Sequence, residues 1–131
     1  FIGEPSAQQR HYFQHMLNLQ EVAFEAIRPG EPSSAVDVAV RAYYESEGLW
    51  EHWRHHVGHS LGQRIHESPF LDIGDHTPMQ PGMVFSIEPG LYVPGLGGFR
   101  HSDTVLVTET GVEIMTYYPR QLEDLIIPVD A

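Results

Sequence analysis

Near the start of the chain apolar residues recur with a helical period. Phe13, Met16, Leu17, Ala23, Phe24 and Ile27 form one stripe among polar neighbours. Ser6 followed three positions later by Gln9 is a capping-box pattern ahead of that run, and Arg28-Pro29-Gly30 ends it. The pattern predicts an amphipathic helix of about six turns. A second helix is predicted from Ser33 or Ser34, carrying Val36, Ala39, Val40, Tyr43 and Tyr44 and closing at Gly48. Its tyrosines are read as packing residues.

From Leu49 onward the period shortens. Glycines and prolines become dense, and short runs rich in β-branched and aromatic residues follow: "MVFSIE", "GLYV", "TVLVT" and "VEIMTYY". The run "VLVTETGVEIMT" reads as a hairpin with a glycine-containing turn. Two helices followed by an antiparallel sheet is an α+β order. With no internal repeat and no low-complexity linker, no domain boundary is drawn.

Composition narrows the chemistry. The 131 residues suffice for one modest domain. Cysteine is absent, which removes thiol nucleophiles, disulfides and Cys-ligated metals. All seven basic residues are arginines, so no lysine exists for a Schiff base or a phosphate-binding loop. Eighteen carboxylates leave a formal net charge of −11, and no basic stripe interleaves with aromatics, so nucleic acid is not an expected partner. No apolar run approaches the roughly 20 residues that span a bilayer, and no leader pattern opens the chain. These features set the expectation of a cytoplasmic enzyme or binding domain without a membrane partner.

Nine histidines are many for this length, and His52, His55, His56, His59 and His66 fall within fifteen positions. In the same stretch "GHSLG" fits the Gly-x-Ser-x-Gly pattern of a nucleophilic serine, Ser60. That reading needs a buried strand before the serine and a helix after it. Upstream "WEHWRHHV" is too polar for a covered strand, and Pro69 follows Gly62 too closely for a packing helix. The serine is therefore set aside in favour of the histidines. Gly58 and Gly62 flank His59 and allow close backbone approach.

A carboxylate stands ready for that cluster. In "VFSIEPG" alternation places Phe85 and Ile87 on one face and Ser86 and Glu88 on the other, with Glu88 at the strand end before Pro89-Gly90. An imidazole facing a strand-end carboxylate suits either a divalent metal or proton transfer. Taken singly, His52, His56, His76 and His101 read as surface or loop residues, and Trp50 and Trp53 as packing residues.

The segments "HHVGHSLGQRIHESPFL", "QPGMVFSIEPGLYVPGLGGFR" and "DTVLVTETG" resemble the C-terminal half of the pita-bread hydrolases: aminopeptidase P, prolidase, methionine aminopeptidase and creatinase. The likeness runs from the first helix to about Thr116, and Xaa-Pro peptidase-like members match best. It implies a curved antiparallel sheet after two helices, residues 1–131 being the C-terminal part of one catalytic domain whose upstream part lies outside this chain. It also implies that His59 and Glu88 ligate metal, that Glu88 shuttles the proton, that His55 and His66 bind substrate and assist catalysis, and that Arg100 supports them from outside. The expected reaction is hydrolysis of a C–N bond in a short peptide or small amide, with manganese, cobalt or zinc as candidate ions, in a homodimer.

Two departures qualify the expectation. The family's two metal-ligating aspartates would precede Phe1. Where the peptidases read Arg-x-Glu-Asp, this chain reads Arg100-His101-Ser102-Asp103, so a hydroxyl replaces the carboxylate that bridges two cations. A depleted metal site is the leading expectation; a creatinase-like metal-independent hydrolase and an inactive binding module are the alternatives.

Overall fold

The computed structural model describes residues 1–129. Helix α1 spans Ala7–Ala26, and its start follows the predicted chemistry: Ser6 Oγ accepts the Gln9 N–H while the Gln9 side chain accepts the Ser6 N–H. Helix α2 spans Ser34–Ser46 and gives way to Gly48, whose φ of 66° is the left-handed conformation that glycine reaches without steric cost. Ser33 does not cap α2 with its side chain. Its hydroxyl donates instead to Thr77 O, tying the helix start to a loop.

Among the described residues seven strands follow: β1 (Gly58–Ser60), β2 (Glu67–Leu71), β3 (Val84–Ile87), β4 (Gly90–Val93), β5 (Gly97–Arg100), β6 (Asp103–Val107) and β7 (Val112–Ile114). Five form one antiparallel sheet in the order β2-β1-β3-β6-β7, and β4 pairs with β5 as a separate two-stranded ribbon. The predicted hairpin is β6–β7, closed where Thr108 N–H donates to Gly111 O. The run 112–118 stays in strand only to Ile114, although the Met115 N–H still donates to Thr104 O at 2.8 Å; Tyr117 and Tyr118 are exposed.

Two strands were hidden by their composition. Pro69 inside β2 argues against a central strand, yet β2 occupies an edge, where a missing N–H costs no ladder bond. Glycines are depleted in strands, but in β5 Gly98 lets the Tyr92 ring lie against the backbone: a Cβ there would sit 3.0 Å from Tyr92 Cδ1.

One face of the five-stranded sheet is apolar. Leu71, Phe85, Ile87, Val105 and Val107 are buried with Met16, Leu19, Ala23 and Phe24 of α1 and Val36, Val40 and Tyr44 of α2. The opposite face carries the polar His59, Ser86 and Thr104 alongside Val84 and Leu106. Among the described residues no helix is long and apolar enough to cross a membrane.

Candidate active site

Glu88 precedes Pro89, and a residue before proline is held in extended backbone, so the pleat of β3 continues through it. The Glu88 N–H donates to Val57 O at 2.7 Å, extending the pairing of β1 with β3. Alternation then sorts the side chains as the sequence predicts. Phe85 and Ile87 are fully buried in the core, while the Ser86 hydroxyl donates to Glu88 Oε1 on the other face.

Register completes the row. His59 of β1 pairs with Ser86 of β3, and Ser86 pairs with Thr104 of β6, so the three side chains share the polar face across three strands. They line a cleft of about 420 Å³ together with Leu61, Ile65, His66, Glu88 and Arg100. A second groove of about 360 Å³, lined by Phe1, Phe13, Phe99 and Tyr118 among others, holds no histidine and touches the first only through Arg100.

The His59 ring is fixed at both nitrogens. Nδ1 lies 3.1 Å from Ser60 O, a carbonyl that only accepts, so Nδ1 carries the proton. Nε2 then faces Glu88 Oε1 at 3.3 Å. In the neutral tautomer these are two lone pairs pointed at each other, an arrangement stabilised either by a proton between them or by a cation. Arg100 Nη1 stands 3.5 Å from Glu88 Oε2. Burial pushes the Glu88 carboxyl up, but the Ser86 hydrogen bond, the Arg100 charge and His59 outweigh it and hold the group below the ordinary glutamate range. Glu88 is therefore a carboxylate at neutral pH.

The remaining expected site residues divide. His66 joins the cleft, its ring centroid 4.1 Å from that of His59. His55 does not line that cleft. Its Nδ1–H donates to His56 O at 2.9 Å and its Nε2 accepts from the Tyr92 hydroxyl at 2.8 Å. Ser102 is exposed and one residue short of β6; continuing the β3–β6 register from Ile87–Asp103 by one step sets it across from Glu88.

Ser60 faces the other way. It pairs with fully buried Phe85, and its hydroxyl donates to Val84 O at 3.3 Å, so no base activates it. His52 corrects the surface reading: it is 8% exposed and its Nε2 lies 3.2 Å from the Tyr12 hydroxyl. His101 is likewise turned inward, with Nε2 3.9 Å from Asp103 Oδ2, because successive residues entering β6 alternate faces. Trp50 and Trp53 do pack, ring on ring at 5.5 Å, with Arg41 over Trp53.

Asp103 and Tyr92 are hydrogen-bonding partners near the cleft that the motifs alone did not single out. Buried Asp103 accepts from Gln20 Nε2 at 2.8 Å, from Arg120 Nε at 3.0 Å and from the Thr116 hydroxyl. Gln20 also donates to His101 O, so α1 anchors the turn carrying Arg100 and Ser102. The sequence signal for Asp103 is a carboxylate heading a strand that carries no other charge. Ser86 was legible from its period-two spacing to Glu88, whereas Thr104 required the register.

A divalent cation fits two donors of this chain: Nε2 of a histidine whose other nitrogen is bonded to a carbonyl, and an ionised carboxylate beside it. Among the described residues no group of three or more His, Cys, Asp or Glu side chains could hold a metal. The donors this chain would offer such a cation are His59 and Glu88.

Similarity to known proteins bears on the same residues. The model of metallopeptidase family M24 matches residues 1–109. The chain is 41% identical over 128 residues to the probable dipeptidase PepE of Mycobacterium bovis, covering 98% of this chain and 34% of that protein. Against the Xaa-Pro dipeptidase of Pyrococcus furiosus it is 39% identical, covering 92% of this chain and 35% of that protein. The crystal structure of dipeptidase PepE from Mycobacterium ulcerans matches with a TM-score of 0.90 at 38% identity, over 98% of this chain and 34% of that one. The chain spans about a third of the length of these relatives. With its helices, its pita-bread sheet and its His59–Glu88 pair in place, the chain belongs to metallopeptidase family M24.

Proposed function

We propose that the protein containing this chain is a peptidase that hydrolyses the C–N bond of short peptides, Xaa-Pro dipeptides foremost, with a divalent cation held partly by His59 and Glu88. The observation that carries this is the approach of His59 Nε2 to Glu88 Oε1 at 3.3 Å on the floor of an open cleft. The names of its relatives, dipeptidase and Xaa-Pro dipeptidase, support the substrate class. The further cation ligands are assigned to protein outside this chain.

When bound, a divalent cation polarises the scissile carbonyl and makes water a better nucleophile at neutral pH. The chain's residues do the rest. Ionised Glu88 accepts a proton from the attacking water and returns it to the departing amine. His66 lies within reach of the same space and donates a hydrogen bond to the substrate carbonyl oxygen. Leu61 and Ile65 wall the cleft with apolar surface suited to a side chain or a proline ring. Arg100 keeps Glu88 charged from the far side.

A second reading rests on Ser102. The residue across from Glu88 carries no charge, which favours a creatinase-like enzyme that works without metal. Replacing Glu88 with Gln separates hydrolase from binding module: turnover of Xaa-Pro dipeptides by the whole protein should fall at least roughly 10²–10⁴-fold with the fold intact. Unchanged turnover would refute the assignment. Elemental analysis of the purified protein then distinguishes the metal-dependent reading from the metal-free one.

A further inference from the structure

We propose that Ser86 is a positioning residue that aims Glu88 at the cation, acting through the carboxylate rather than touching substrate. The inference rests on the reading of His59 and Glu88 as cation ligands. Glu88 has three rotatable bonds and sits at a strand end beside an open cleft, so a free carboxylate would spread over several rotamers. Three polar groups restrain it: Ser86, His59 and Arg100. The Ser86 hydroxyl is the closest of them.

The three restraints differ in rigidity. Arg100 reaches in from the β4–β5 ribbon on a long side chain that is 48% exposed, and it engages Oε2 at 3.5 Å. Such a contact is loose and screened by water. His59 cannot both orient Oε1 and share a cation with it. Ser86 has a single side-chain torsion, is 8% exposed, and lies on β3 with β1 on one side and β6 on the other. Its O–H takes one lone pair of Glu88 Oε1. The same oxygen faces His59 Nε2 at 3.3 Å, so Ser86 holds Oε1 on the His59 side of the cleft, where these two residues would hold a cation.

The spacing makes this possible. Ser86 and Glu88 are two residues apart on one face of an extended strand, and Pro89 keeps the backbone extended at Glu88. A hydroxyl at position 85 or 87 would point into the core instead, as Phe85 and Ile87 do. Outer partners of this kind typically contribute 10–100-fold to metal affinity. Were Ser86 merely a small residue filling the sheet, alanine would serve equally.

The test is Mn²⁺ titration by calorimetry on the whole protein and its Ser86→Ala and Ser86→Thr variants, with melting temperature measured in a chelator and a crystal structure of each variant. Ser86→Ala should melt close to the unsubstituted protein, bind Mn²⁺ roughly 10–100-fold more weakly, and show the Glu88 carboxylate turned from His59. Ser86→Thr keeps the hydroxyl and should restore both affinity and carboxylate position. Equal affinity in Ser86→Ala, or failure of threonine to rescue, would overturn the role of Ser86 while leaving the peptidase reading in place. If the unsubstituted protein binds no Mn²⁺ yet hydrolyses Xaa-Pro dipeptides, both the metal-dependent reading and this inference fall.

Discussion

His59 and Glu88 are a diagonal pair: His59 stands opposite Ser86, two residues before Glu88, and the longer glutamate reaches back until Oε1 is 3.3 Å from His59 Nε2. Diagonal cross-strand neighbours are about 7–8 Å apart at the backbone, so long side chains alone can meet across them. Neither residue could do this if β1 slipped by one position, because every side chain of β1 would then change face. The strand register is therefore the first determinant of this site.

Gly58 holds that register at close range. A Cβ at Gly58 would lie 1.9 Å from Ser86 O and 3.0 Å from Ser86 C, both backbone atoms that cannot step aside. Gly58→Ala must push β1 off β3, at a cost of about 1–3 kcal/mol. The expected result is a lowered melting temperature together with weakened Mn²⁺ binding, since His59 moves with the strand. A variant with unchanged melting and affinity would contradict the close-approach account.

Ser60 should be dispensable although it sits in a Gly-x-Ser-x-Gly pattern. The Val84 carbonyl it donates to already accepts the Leu61 N–H at 2.9 Å, so Ser60→Ala leaves no acceptor unpaired and should cost no more than about 1 kcal/mol. Dipeptide turnover should be retained, and fluorophosphonates should not label the protein. Stoichiometric labelling at Ser60 would restore the serine hydrolase mechanism.

Ser102 tests the number of cations. By register it stands across from Glu88, so Ser102→Glu adds a carboxylate at the rim of the cleft. If the protein supplies the further ligands, calorimetry should show metal stoichiometry rising toward two ions per chain. Without them, the new charge faces Glu88 unpaired, raising one carboxyl pKa and lowering the melting temperature. Tight binding of two ions by the unsubstituted protein would show that Ser102 is no deficit.

Acid sensitivity is predicted at Asp75. Burial acts to raise its pKa, but hydrogen bonds from the Phe70 N–H, from the Thr77 hydroxyl and from the Thr77 N–H win, holding the carboxyl below the ordinary aspartate range. A depressed folded pKa contributes stability that is complete above the unfolded value, about 3.9, and is lost as pH falls through the lower folded value. Asp75→Ala should thus lower stability at neutral pH by about 1–2 kcal/mol, from the lost hydrogen bonds to β2 and its loop. The gap from the unsubstituted protein should narrow below pH 4. A gap that stays constant down to pH 2 would disprove the linkage.

Much of this protein is written locally. The stripe from Phe13 to Ile27, the Ser6–Gln9 box and the alternation of Phe85, Ser86, Ile87 and Glu88 each involve residues within one element. Helical and strand periods are properties of neighbouring backbone, so these features were legible without a fold. The ordered motifs around His59 and Glu88 likewise marked the family and which residues would meet.

The tertiary structure decided what depends on distant partners. That Ser60 faces the core while its neighbour His59 faces the cleft follows from pairing with Phe85 and Ser86, residues more than twenty positions away. The tolerance of Pro69 depends on β2 being an edge, and the separation of β4–β5 from the main sheet could not be read from "GLYV" and "GGFR" alone. His55 is engaged by Tyr92, His52 is buried against Tyr12, and Asp103 is buried with its oxygens hydrogen-bonded because α1 and the segment after β7 bring Gln20, Thr116 and Arg120 to it. A side chain's period is set by its own strand, but what it meets is set by register and packing, and those are fixed only when remote segments bury their apolar faces together.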